Sequence, residues 1–184
     1  DVRAQELTHG VTENEAGLVY FQQSGALIES MSDVFGSLVK QFHLQQSADQ
    51  ADWLIGEGLL AAGIKGRGLR SMSAPGTAYD DPKLGKDPQP ADMDHYIETR
   101  DDNGGVHLNS GIPNRAFYLA AKALGGFAWE LAGHAWYDTL CDKTLPQDAD
   151  FSTFARFTVE HGGKRFNRSV AEAIQSAWLQ VGVT

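Results

Sequence analysis

Between Ser24 and His43, apolar side chains recur at helical spacing: Leu27, Ile28, Met31, Val34, Phe35, Leu38 and Val39. That period predicts a long amphipathic helix whose apolar face needs partners to cover it. A shorter helix is expected over residues 1 to about 15, with Val2, Leu7 and Val11 apolar, Gly10 a mild weakness and Asp1 as N-cap. Helical patterns return from about Asn109 in four segments, "SGIPNRAFYLAAKALGG", "AWELAGHAWYDTLCDKTL", "DFSTFARFTVEHGGKRF" and "NRSVAEAIQSAWLQVGV", the third with Asp150 as N-cap. From about Gln45 to Gly105 the chain changes character. That stretch holds Pro75, Pro82, Pro88 and Pro90 and many of the glycines, and reads as a long ordered loop with short helical turns. A loop of that length inside a compact domain is uncommon unless it is functional. With 184 residues there is length for one domain with a real core. The expected class is mainly α with one long irregular loop region. Neither an internal repeat nor a low-complexity tract interrupts it.

Several function classes are disfavoured by composition. Hydrophobic residues make up 42% and charged residues 21%, ordinary for a soluble globular protein. A formal net charge of −9 repels phosphate backbones, and no Lys/Arg-rich run offsets it, so no nucleic-acid partner is expected. The apolar runs are far short of a bilayer span, so no membrane partner is expected. A single cysteine, Cys141, permits neither an internal disulfide nor a Cys-based zinc site. Asp1 stands directly before the first helical turn with no lead-in. The sequence therefore reads as a piece of a longer product, with any targeting signal upstream.

One stretch near the start carries chemistry. "AQELTH" places Glu6 and His9 as a metallopeptidase helix places the last two members of H-E-x-x-H, but Gln5 stands where the first histidine belongs. Gln5 and His9 are four apart and Glu6 shares their side. Glu29 lies on the next helix, with Asp33 one turn on. Two helices packed antiparallel would bring position 5, His9 and Glu29 to a common point with Glu6 beside it. A hydrolytic zinc needs three protein ligands, an open position for water and a nearby carboxylate. By itself E-x-x-H is a weak signal that chance produces in many helices.

Longer blocks add to it. "ELTHGVTENEAGLVYFQQSGALIESMSDVFGSLV", "WLIGEG", "LRSMSAPG", "MDHYIETRDDNGGVHLNSGIPNRAFYLAAKALGG" and "FNRSVAEAIQSAWLQVGV" succeed one another in order. Together they resemble the catalytic C-terminal domain of the thermolysin family of neutral zinc metallopeptidases, and within it the protealysin-like branch. The likeness spans residues 1–184. It implies the helical C-terminal domain of that fold, and hydrolysis of peptide bonds through a zinc-activated water. By resemblance His9 and Glu29 are zinc ligands, Glu6 is the general base, and Asp33 is the carboxylate that orients the first ligand. His107, oriented by Asp102, and Tyr20 would steady the tetrahedral oxyanion, while Arg70 would grip a substrate carbonyl. Val2, Ile55 and Leu69 would form an apolar pocket for the side chain just beyond the cut.

The sequence departs from that pattern in several places. Gln5 replaces a ligand histidine, Ile28 replaces the asparagine before the ligand glutamate, and the family's β-rich N-terminal domain is absent from these residues. Asp52 and Glu57 remain from a calcium site, but Lys40 and Leu54 stand where carboxylates are expected, so calcium is not expected. A neutral amide oxygen is a poor zinc ligand beside imidazole. Its side-chain oxygen reaches about as far as a histidine ring nitrogen, and its amide hydrogens could donate to Asp33. The expectation is weak or absent zinc and impaired cleavage. Three readings stay open: an impaired zinc metalloendopeptidase domain acting on peptide or protein substrates, a non-catalytic pseudopeptidase that binds peptides or a protein inhibitor, and a truncated fragment. The resemblance favours a secreted protein, with a cytoplasmic one left open.

Other conspicuous residues read as structural. His43, His95, His134 and His161 are expected at the surface or satisfied in the core. Trp129, Trp136 and Trp178 are expected in the core. Lys164 and Arg165 are expected to begin the last helix, and Cys141 to be inert. Ser24 lacks a serine-hydrolase context.

Overall fold

The computed structural model describes residues 1–184. Helix α1 (Val2–Glu15) is capped by Asp1, whose carboxylate accepts from the Val2 N–H at 2.6 Å. It lies antiparallel against α2 (Gln22–Leu44), the longest element and the centre of the molecule. Nearly all of α2 from Ser24 to Val34 is buried, because apolar residues alternate there with glycine and serine small enough to let neighbours close in. Two glycines set those approaches. A Cβ on Gly36 would lie 3.0 Å from the Asp1 carbonyl and 3.2 Å from Gln5 Cβ, and one on Gly25 would overlap Val106 and the Tyr20 backbone. Helix α2 stops where Gln45 turns left-handed at φ 54°.

Past the loop come α3 (Asp102–Asn109), α4 (Gly111–Leu124), α5 (Ala132–Cys141), α6 (Phe151–Arg165) and α7 (Arg168–Gln180). Asp150 caps α6 through the Thr153 N–H at 2.7 Å, and Asn167 caps α7 through the Val170 N–H at 3.1 Å. Lys164 and Arg165 therefore close α6 rather than open α7. Both pair there with acids, Lys164 with Glu160 and Arg165 with Asp138. The core joins α2, α4, α5, α6 and α7 around Phe117, Trp136, Phe154 and Trp178. The rings of Trp136 and Trp178 stack at 5.9 Å, and the Trp178 indole N–H donates to Thr158 at 2.9 Å. Trp129 is different. It sits half-buried in the turn before α5, stacked on Phe127 at 4.4 Å and edge-on to Phe42, because α5 starts three residues later than the tryptophan spacing suggests. Cys141 ends α5 half-buried, and burial pushes its thiol pKa up, away from the reactive thiolate. No helix is long and apolar enough to cross a membrane.

Residues 45–101 are ordered without a large sheet. Strand β1 (Leu54–Ile55) pairs antiparallel with β2 (Arg70–Ser71), setting Ile55 opposite Arg70. Strand β3 (Asp80–Asp81) pairs likewise with β4 (Gly85–Lys86), and a single 3₁₀ turn spans Met93–His95. Two buried carboxylates take the place that a sheet would fill elsewhere. Asp81 accepts from the Lys65, Lys83 and Leu84 N–H groups, and Asp87 accepts from those of Gly76, Ala78 and Gln89.

Candidate active site

Helices α1 and α2, strand β2 and the end of α3 surround a cavity of about 340 Å³. It is lined by Val2, Gln5, Glu6, His9, Tyr20, Glu29, Leu69, Arg70 and His107. Of the apolar trio expected there, Val2 and Leu69 are at the wall, while Ile55 is fully buried behind it in the core. Glu29, buried on α2, is the hub. His9 Nε2 lies 3.9 Å from its Oε2, and His107 Nε2 lies 3.5 Å from the same oxygen. The Tyr20 hydroxyl donates to Glu29 Oε1 and lies 3.4 Å from His107 Nε2. Burial, and after it the bond to Glu29, pushes the Tyr20 pKa well above the ordinary phenol value, so this hydroxyl keeps its proton as a donor.

His107 is placed by an unusual backbone. Asp102, Asn103, Gly104 and Gly105 all have positive φ, at 53°, 50°, 84° and 80°. Glycine tolerates that region without strain, and Asp and Asn tolerate it better than most residues. The left-handed turn folds Asp102 back onto the residue five positions on. Its Oδ2 accepts the His107 N–H at 2.8 Å, and its Oδ1 meets His107 Nδ1 at 2.6 Å. The same turn touches the start of α2. A Cβ on Gly104 would lie 2.6 Å from Gln22 Cγ, two residues beyond Tyr20.

Asp33 is held by partners outside α1. Its two oxygens accept from Arg70 Nε and Nη2, both at 2.7 Å, and from Asn114 Nδ2 at 2.9 Å, and no hydrogen bond joins it to Gln5. A bidentate guanidinium fills the carboxylate's best acceptor directions first. Burial alone would lower the Arg70 pKa, and the Asp33 charge reverses that, holding the guanidinium ionised. Asn114, fully buried on α4, has no signature in the sequence, because one polar residue in an amphipathic helix carries no signal of its partner.

Away from the cavity, Lys40 Nζ donates to Asp52 at 2.6 Å and to Glu57 at 2.9 Å. Burial opposes the charge, but the two carboxylates outweigh it and hold the ammonium pKa above its ordinary value. His43 is exposed, His95 is exposed on Asp92, His161 is half-buried on Asp142, and His134 packs against Phe166.

The chain matches the model of the thermolysin metallopeptidase alpha-helical domain over residues 16–183. It belongs to the thermolysin metallopeptidase family. The likeness extends through α1: an extracellular metalloprotease of Pectobacterium carotovorum is 72% identical over 183 residues, covering 100% of this chain and 53% of that protein. Thermolysin of Alicyclobacillus acidocaldarius is 37% identical over 195 residues, covering 100% of this chain and 33% of that protein. Among solved structures, the precursor of protealysin, a metalloproteinase from Serratia proteamaculans, superposes with a TM-score of 0.99 at 76% identity. That match covers 100% of this chain and 57% of the other. The chain thus spans about half the length of the Pectobacterium metalloprotease and a third of that thermolysin.

The thermolysin family is zinc-dependent, so the donors of this chain can be tested against zinc. A catalytic zinc takes three protein ligands drawn from histidine, cysteine and carboxylates. Here His9 and Glu29 supply two, and Gln5, buried at the cavity wall, supplies only a neutral amide. No group of three such side chains is placed to share a metal. The donor set thus holds two of the three ligands a catalytic zinc takes, with an amide at the third place.

Proposed function

We propose that this chain is the helical half of a zinc metalloendopeptidase-type domain in which Gln5 leaves metal binding weak and peptide hydrolysis impaired. The observation that carries this reading is the convergence of Gln5, Glu6, His9, Tyr20, Glu29, Arg70 and His107 on one cavity. In this reading His9 and Glu29 are the two metal donors retained. Glu6, exposed at the cavity, is the base that takes a proton from water and delivers it to the leaving amine. His107, with its ring set by Asp102, and Tyr20, held protonated, are donors to a developing oxyanion. Arg70 faces a substrate carbonyl while Asp33, itself held by Asn114, fixes its guanidinium from behind. A β-rich partner domain would form the other wall of the cleft, and the relatives named extracellular support secretion.

Gln5 favours a second reading, a pseudopeptidase that binds peptides without cutting them. Zinc titration by calorimetry, with a peptide-cleavage assay of the chain alone and joined to the β-rich half of a relative, separates the two. The expected result is no tight stoichiometric zinc and little chelator-sensitive cleavage. Firm zinc binding with such cleavage would overturn the impaired reading, and saturable peptide binding with none would establish the second.

The Lys40 bridge carries its own prediction. An ammonium already occupies the point between Asp52 and Glu57, so the thermal midpoint should be unmoved by millimolar calcium or chelator. Lys40→Glu should make that midpoint rise with calcium, because three carboxylates then face one point. Differential scanning calorimetry checks both.

A further inference from the structure

We propose that Gln89 is a positioning residue for His107, holding from behind the segment that Asp102 holds from the front. The proposal rests on the reading of His107 as an oxyanion donor. Gln89 lies in the long loop between Pro88 and Pro90, whose rings restrict the backbone on both sides. It is buried, at 6% exposure. Its Nε2 donates to the His107 carbonyl at 2.7 Å and to Ser110 Oγ at 3.0 Å, and Ser110 Oγ donates to the same carbonyl at 3.1 Å. The Gln89 N–H is tied in turn to Asp87 Oδ1 at 3.1 Å. The loop is wedged in place. A Cβ on Gly111 would lie 2.5 Å from the Pro90 carbonyl and 3.1 Å from Gln89 Cβ, and one on Gly76 would lie 3.0 Å from the Gln89 carbonyl.

The other end of the amide shows why this is positioning rather than general stabilisation. Gln89 Oε1 is buried without a hydrogen-bond partner. A lone buried acceptor is unfavourable, and an apolar side chain of similar length would avoid it. What glutamine supplies, and such a residue cannot, is a donor to the His107 carbonyl. His107 lies in the last turn of α3, where carbonyls lack intrahelical N–H partners. A loop anchored on Asp87 thus fixes one of the cavity's donors from a separate part of the fold.

The test uses the full chain and the tautomer of the His107 ring, read by ¹⁵N NMR with the ring neutral. With Nδ1 held against Asp102, the Nδ1–H form should dominate in the unaltered protein; the ratio reports the Asp102 contact, and donation through Nε2 belongs to the ring with both nitrogens protonated. Gln89→Met should lower the ratio of Nδ1–H to Nε2–H by about fivefold to tenfold, the factor of one ordinary hydrogen bond, while leaving the thermal midpoint equal or higher. Gln89→Leu, which likewise offers no donor, should shift the ratio the same way and serves if the methionine variant does not fold. Asp81→Asn loosens the same loop without touching His107 and should leave the ratio alone. An unchanged ratio in the Gln89 variants, or an equal shift in Asp81→Asn, overturns the proposal. The measurement needs neither metal nor substrate. Failure of the peptidase reading would appear in the zinc and cleavage assays and leave this ratio as found.

Discussion

Gln5→His is expected to raise zinc affinity by more than about 100-fold. Loss of a group that only supports a ligand costs roughly 10–100-fold in affinity, and loss of a ligand itself costs more. Position 5 is suited to the restoration. It lines the cavity with His9 and Glu29, on a helix that Gly36 lets approach α2 closely, so an imidazole enters where the amide now points. The two retained donors are already held, Glu29 by burial and the Tyr20 hydroxyl, His9 by its place one turn along α1 from position 5. Competition against a chelator of known affinity reads the change. If the unaltered chain and the variant bind zinc equally and tightly, the amide is a working ligand. Joined to a β-rich half, the variant should also gain cleavage. If it binds zinc firmly yet stays inert, the defect lies elsewhere than position 5.

Asp33→Ala is expected to cost about 3–5 kcal/mol of stability, the usual consequence of stranding one partner of a buried ion pair. Asp33 is 1% exposed and receives three hydrogen bonds, two from Arg70 and one from Asn114. Removing it leaves a mostly covered guanidinium without its counter-charge and a buried amide whose oxygen is already unpartnered. In a chain of this size the midpoint of thermal unfolding should fall by about 10 °C. The effect should exceed that of any exposed pair, such as Arg168 with Glu172, where solvent screening leaves well under about 1 kcal/mol. Chemical denaturation gives the number. A loss below about 1 kcal/mol would mean that Arg70 finds another partner or swings into water, and that Asp33 does not hold it.

Part of this was legible because it is local. The apolar period from Leu27 to Val39, the caps at Asp1 and Asp150, and the turn-rich stretch before Asp102 depend on neighbours within a few residues. So does the four-residue spacing of Gln5 and His9, since one turn of helix puts both on one side. The misplacements have local causes too. Trp129 shares helical spacing with Trp136 but precedes the helix, and Lys164 and Arg165 look like an opening turn until Asn167 is seen to cap α7. Gln89 and Asn114 gave no sign, because each matters only through a residue at least 18 positions away.

From the sequence alone come the helices, the family resemblance, and the replacement of an imidazole by an amide at position 5, since donor chemistry belongs to the side chain itself. Tertiary structure alone decided that Asp33 serves Arg70 and Asn114, and that a proline-flanked glutamine backs His107. Those pairings arise where distant segments meet, and the meeting points depend on packing around α2 that no short stretch of chain encodes.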